Sequence, residues 1–164
     1  MSVRIRDNDR GWSRIKRAVD RAVKTQGKVV VVGFVEGENH DGSDLSVAEV
    51  AAIHEFGAEV EAADGSVVTI PARSMLRGTF EENRAENVRK LRVLAQATVE
   101  GRISVDQALK VFGVDMQGQV VKRINAGITP PNAESTIQRK GSSKPLIDTG
   151  QMVQSVTYVV REKR

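Results

Sequence analysis

The apolar positions of this chain change period several times, and each change marks an element. In GWSRIKRAVDRAVK, residues 11–24, Trp12, Ile15, Val19 and Val23 recur at helical spacing with charges between them, which predicts an amphipathic helix stopped by Gly27. KVVVVGFV at 28–35 is β-branched and too short for a helix, so it predicts a well-buried strand. GENHDGSD at 37–44 is a polar loop. Ser46, with Glu49 three positions on, forms a capping box that opens a helix through VAEVAAIHEFG, and Gly57 closes it. AEVEAADGSVVTIPAR then reads as a hairpin turning at Asp64-Gly65, with VVTI as the return strand and Pro71 ending it for want of an N–H.

A long helix is expected from Ser74 to Gly101 on the stripe Leu76, Phe80, Val88, Leu91, Leu94 and Ala95. A second spans about 105–125, where Val105, Leu109, Phe112, Met116, Val120 and Ile124 keep gaps of three and four. Gly113 and Gly118 interrupt that stripe, each costing about 1 kcal/mol relative to Ala, and so predict close packing or a bend. Residues 126–151 hold three of the four prolines and form a long irregular loop with at most a helical turn around STIQRK. VQSVTYVV at 153–160 is a final strand, and REKR a frayed end. The order predicts one α+β domain over residues 1–164, with 1–27 as an N-terminal helix. Its antiparallel or mixed sheet would hold the terminal strands and the hairpin, packed on one face by the two long helices.

With 164 residues, 40% hydrophobic and 28% charged, the chain has the composition of a globular protein with a real core. Aromatics are only 4%, so Val, Ile, Leu, Ala and Met must fill that core. No apolar run approaches the roughly 20 residues of a membrane span, so no membrane partner is expected. The N-terminus lacks the apolar stretch of a secretory signal, and the absence of cysteine excludes disulfides, thiol catalysis and thiolate metal sites. The net charge of +4 is strongly segregated. Residues 1–28 carry nine basic and three acidic groups, whereas residues 29–72 carry nine acidic groups and no Lys or Arg. Either the acidic block is solvated loop, or it marks a surface that meets a basic one within the chain or between copies.

AAIHEFGAEV, residues 51–60, begins like a zinc hydrolase helix, which needs two His four apart with Glu beside the first. Position 58 is Ala58, Gly57 ends the helix there, and the only other histidine is His40, so no metal site is expected. His54 then reads as a half-buried imidazole at a helix C-terminus, where partial positive charge is favourable. No G-x-S-x-G elbow, Walker sequence or G-x-G-x-x-G occurs, and the Ser-Lys pair in GSSKP has no defined base geometry. Neither catalytic residues nor a cofactor is expected. The calculated pI of about 9.6 permits non-specific DNA contact, although the basic residues lack interleaved aromatics.

Three segments, VAEVAAIHEFGA at 47–58, TIPARSMLRGTFEEN at 69–83 and PPNAESTIQRKGSSKPLIDTGQMVQSVT at 130–157, resemble in order and spacing the tailed-phage neck and tail-completion proteins. That group includes relatives of the lambda minor tail protein Z and the virion-morphogenesis proteins of contractile-tailed phages. The likeness covers roughly residues 28–160, with one departure: Met75 stands where the family tends to have an aromatic. The resemblance implies a structural virion protein at the neck or top of the tail, assembled in the host cytoplasm. It would complete the tail or join it to the head connector as part of a ring around the DNA channel, sixfold in preference to twelvefold.

The implied partners are further copies of itself, a head connector or stopper protein, a tail terminator or tail tube protein, and non-specifically the DNA in the channel. The alternatives are a tail terminator capping the tube and, in another class, a sequence-independent DNA-binding protein. The implied interface and structural residues are His54, Glu55, Phe56, Gly57, Pro71, Arg73, Leu76, Asp148, Thr149 and Gly150. Phe56 and Leu76 are expected as core or interface anchors, and Gly57 as a left-handed exit from its helix. Arg73 is expected to pair with Glu55 or Glu59, within one chain in preference to across two. Asp148 and Thr149 would cap a short turn before the last strand, with Gly150 supplying backbone freedom. The 126–151 loop is the segment expected to reach a neighbour or to order on assembly.

Overall fold

The structure is a computed structural model that describes residues 17, 27–34, 39–41, 44–61, 65–133, 137–138, 145–147 and 150–163. The expected N-terminal helix over 11–24, the Asp64 of the hairpin turn, and Asp148 and Thr149 lie outside the described residues, with Arg17 alone of the first segment seen as helical. The rest is an α+β arrangement of four strands and five helices.

The β-branched runs at the two ends of the described chain find each other. Strand β1 (Lys28–Phe34) pairs antiparallel with β4 (Val156–Glu162), with Val31 opposite Val159 at the centre of the register. One long helix, α4 (Val105–Ala126), packs on this ribbon. Its residues Phe112, Met116, Val120 and Ile124 are all buried, as their four-residue spacing predicts. Gly113 is where the helix meets the sheet most closely: any Cβ there would collide with the Tyr158 ring. The interruption in the stripe is therefore close packing. Gly118, by contrast, faces open space.

Helix α1 (Val47–Phe56) opens on the predicted capping box: the Ser46 hydroxyl accepts from the Glu49 N–H, and the Glu49 carboxylate accepts from the Ser46 N–H at 2.8 Å. It contributes Ala51 to a core completed by Met75, Val120, Ile124, Ile128, Leu146, Met152 and Val156, with Val32 and Phe34 of β1 against it. Met75 is fully enclosed, so the place where the resembling family tends to have an aromatic is filled here by a thioether.

Five expectations need correction. The hairpin does not join the terminal strands: β2 (Ala58–Glu61) and β3 (Val67–Ile70) form a separate two-stranded sheet. Gly57, at φ +78°, turns the chain sharply out of α1, and the alternating Glu59 and Glu61 suit a solvated ribbon. Strand β1 is half-buried, because a two-stranded ribbon offers only one face to α4 and leaves Val31 exposed.

The single helix expected from Ser74 divides at Asn83 (φ −97°, ψ 7°) into α2 (Leu76–Glu82) and α3 (Arg84–Val99). The stripe expected for it also misses the inward face, since Phe80, Val88 and Leu91 are exposed. The face that α3 turns to α4 is largely polar. Lys90 donates to Asp115 at 2.7 Å and pairs with Glu86, while Gln119 bridges Asn87 and Asp115. Finally, a helical turn, α5 (Gln151–Gln154), precedes β4, so the last strand begins at Val156 rather than 153.

Candidate functional site

The side chains of the resembling segments converge behind the hairpin. Helix α2 starts with no acidic residue in its first turn, leaving its N–H groups without a local anion. Glu55, one residue before the end of α1 at Phe56, supplies one. Its carboxylate accepts from the Leu76 N–H at 2.8 Å, the Arg77 N–H at 3.0 Å, the Ser74 hydroxyl at 2.8 Å and Arg77 Nε at 3.0 Å. Ser74 Oγ also accepts the Gly78 N–H at 3.1 Å, so the start of α2 is satisfied by two side chains.

Glu55 is buried at 4% exposure. Burial is the largest single influence on its acidity and opposes ionisation. The donors at Leu76, Arg77 and Ser74 together outweigh it and hold the carboxyl below its ordinary range.

Arg73 makes a different connection from the one expected. It pairs with neither Glu55 nor Glu59. Its Nε donates to the Pro130 carbonyl at 2.8 Å and its Nη2 to the Pro131 carbonyl at 3.1 Å. The physical reason is the geometry of the node: Arg77 takes the cationic place at Glu55, leaving the buried guanidinium of Arg73 to satisfy two carbonyls with its planar fork. Burial also pushes the Arg73 pKa down. The Arg73 N–H donates in turn to the His54 carbonyl at 2.6 Å. The first resembling segment is thus bonded to the second through His54 and Glu55, and the second to the third through Arg73.

The remaining expected residues are placed as follows. His54 is half-buried on the last turn of α1. Phe56 is not core: it is 66% exposed, with the Arg77 guanidinium stacked 4.6 Å over its ring. Leu76 packs against the core from its edge. At Gly57 the positive φ is required, and a Cβ would press on the Ile70 carbonyl at 2.9 Å. Pro71 follows directly on β3. Gly150 is left-handed, at φ 84° and ψ −1°, and caps α5. The next residue, Gln151, ties that end to the 39–41 segment by accepting from the Asp41 N–H and donating to the Asn39 carbonyl.

Ser74, Arg77 and Arg123 were not among the expected residues, yet they complete the node. Arg123 of α4 donates to the Ser74 carbonyl at 3.0 Å, pairs with Glu82, and lies so close over Gly78 that a Cβ would collide with it. The readable signal was the missing first-turn acid of α2, which calls for a carboxylate from elsewhere. Among the described residues, no group of three or more His, Asp or Glu side chains is placed to hold a metal ion.

Beyond the node, the hairpin stands out from the body. Val60 lies opposite Val68 on one face, at 44% and 50% exposure, while Glu59 and Glu61 occupy the other. On α3 and α4, Val93 and Val111 are likewise exposed, at 64% and 56%. No helix of the described residues is long and apolar enough to cross a membrane. Compared with family models, with curated proteins and with solved structures, the chain finds no match.

Proposed function

We propose that this protein is a structural component of a tailed-phage particle, placed at the neck or top of the tail. There it completes the tail or joins it to the head connector as one subunit of a ring around the DNA channel. The observation that carries this reading is the node. The three segments that resemble neck and tail-completion proteins are bonded to one another in space, through Glu55, the His54 carbonyl and Arg73. Glu55 already accepts four hydrogen bonds, and Arg73 serves two carbonyls, so neither is poised as a base or an anion receptor.

The exposed apolar side chains on the hairpin and on α3 and α4 support an assembly role, because such patches mark interaction sites. Segregated charge supports a head-to-tail contact, in which two different patches meet and rotation closes the ring. A sixfold ring matches a tail tube, with the connector or stopper above and the terminator or tube below. Electron microscopy of lysates from a phage lacking this gene tests the reading. The expected result is filled heads beside separate tails, restored to whole particles by the gene supplied in trans. Intact, infectious particles without it would refute the proposal.

A further inference from the structure

We infer that residues 11–24 fold back as an amphipathic helix over the outer face of the β1–β4 ribbon of the same chain. The ribbon is then covered by α4 on one side and by this segment on the other. The inference does not depend on the ring reading. The ribbon has two unlike faces. Tyr158 meets α4 at Gly113, and Val32, Phe34 and Val156 pack into the core, so these residues point to one side. By strand alternation Val29, Val31 and Gly33, with their partners Arg161, Val159 and Thr157, point to the other. There Val31 and Val159 stand exposed opposite each other, and a Cβ at Gly33 would touch nothing.

The chain itself supplies the occupant of this face. Gly27 is fixed at the end of the ribbon, where its carbonyl accepts from the Lys163 N–H, and its φ of +112° turns the chain. Only Thr25, Gln26 and Gly27 separate Lys24 from β1, a link of about 10 Å at full stretch. The lengths match: residues 11–24 as a helix run about 21 Å, and the seven residues of β1 about 23 Å. Laid antiparallel to β1, the stripe Trp12, Ile15, Val19 and Val23 spans the whole face. Val23 falls near Val29, Ile15 and Val19 around Val31 and Val159, and Trp12 over Gly33, where the missing side chain leaves room for an indole. Arg17, which is helical and exposed, falls on the side of this helix opposite the stripe.

Other apolar surfaces are out of reach. α4 turns Gly113 and Gln117 to β4 but Asp115 and Gln119 to α3, so the exposed Val88 and Leu91 of α3 lie beyond it. A link this short cannot carry the segment round a helix about 10 Å across.

Trp12 is the only tryptophan, so its fluorescence reads the contact directly. Wild-type emission should be that of a buried indole at every protein concentration. A Val31→Lys, Val159→Lys variant and an Ile15→Asp, Val19→Asp variant should each move it to longer wavelength, with roughly threefold stronger quenching by acrylamide. The second variant leaves the ribbon untouched, and far-UV circular dichroism checks that both fold. The chain has no cysteine, so an oxidised Val19→Cys, Val31→Cys pair should close within one chain, read as monomeric mass without free thiol. An Arg17→Cys, Val31→Cys pair has the same tether but the opposite helix face and should stay open. Wild-type emission of a solvated indole, emission that neither variant moves, or equal closure by the two pairs overturns the inference. Emission that becomes buried only as concentration rises, or disulfide-linked dimers in place of closed monomers, overturns it too, because the covering segment then belongs to another copy.

Discussion

Glu55 concentrates the chemistry of this molecule at a single carboxylate. Its removal would strand the Leu76 and Arg77 N–H groups and the Ser74 hydroxyl, which meet its buried carboxylate. Glu55→Ala should therefore lower the unfolding free energy by about 2–4 kcal/mol, read from urea melts. The pH dependence follows from the same bonds. The folded-state pKa lies below the ordinary value of 4.5, so the ionised form binds the fold more tightly than the protonated one. That stability is fully present above pH 4.5 and is lost as pH falls through the folded-state pKa. Wild-type melts should thus show a steeper acid-side loss than Glu55→Gln, and equal slopes would remove Glu55 from the account. Gly113→Ala tests the other close contact. The added methyl meets the Tyr158 ring, so a loss of about 1–3 kcal/mol is expected although Ala is the better helix former.

At the scale of elements, the node makes a specific claim about Arg73: its fork holds the 130–131 carbonyls against the start of α2. Arg73→Lys keeps the charge but offers one point donor in place of two fixed ones. Amide hydrogen exchange across 128–133 should accelerate in that variant, with exchange in α3 unchanged. Exchange as slow as in the wild type would show that the carbonyls are held by something else.

These elements also show where the sequence was readable. The capping box at Ser46–Glu49, the α4 stripe and the existence of the hairpin with VVTI as its return strand are local, governed by spacing and turn chemistry, and they were legible. The partner of Arg73 and the inward face of α3 were not. The first depends on a chain approach across more than fifty residues, and the second is built from Asn87 and Lys90, which an apolar period does not detect. The separation of the two sheets was hidden for a related reason. Strand propensity is the same for a ribbon that joins a sheet and for one that leaves it at Gly57.

The whole molecule couples a compact body, centred on α4 and the β1–β4 ribbon, to an acidic hairpin that presents apolar side chains to solvent. Behind the hairpin, Glu55 and Arg73 lock α1, α2 and the 130–131 segment into one mount. A ring subunit in the proposed role needs two different patches that meet head to tail. The central claim is location and symmetry, and a cryo-electron microscopy reconstruction of tailed particles carrying this protein reads both at once. The expected density is this fold as a closed, sixfold ring between head connector and tail tube. Particles whose head–tail junction contains no copy of it would contradict the account.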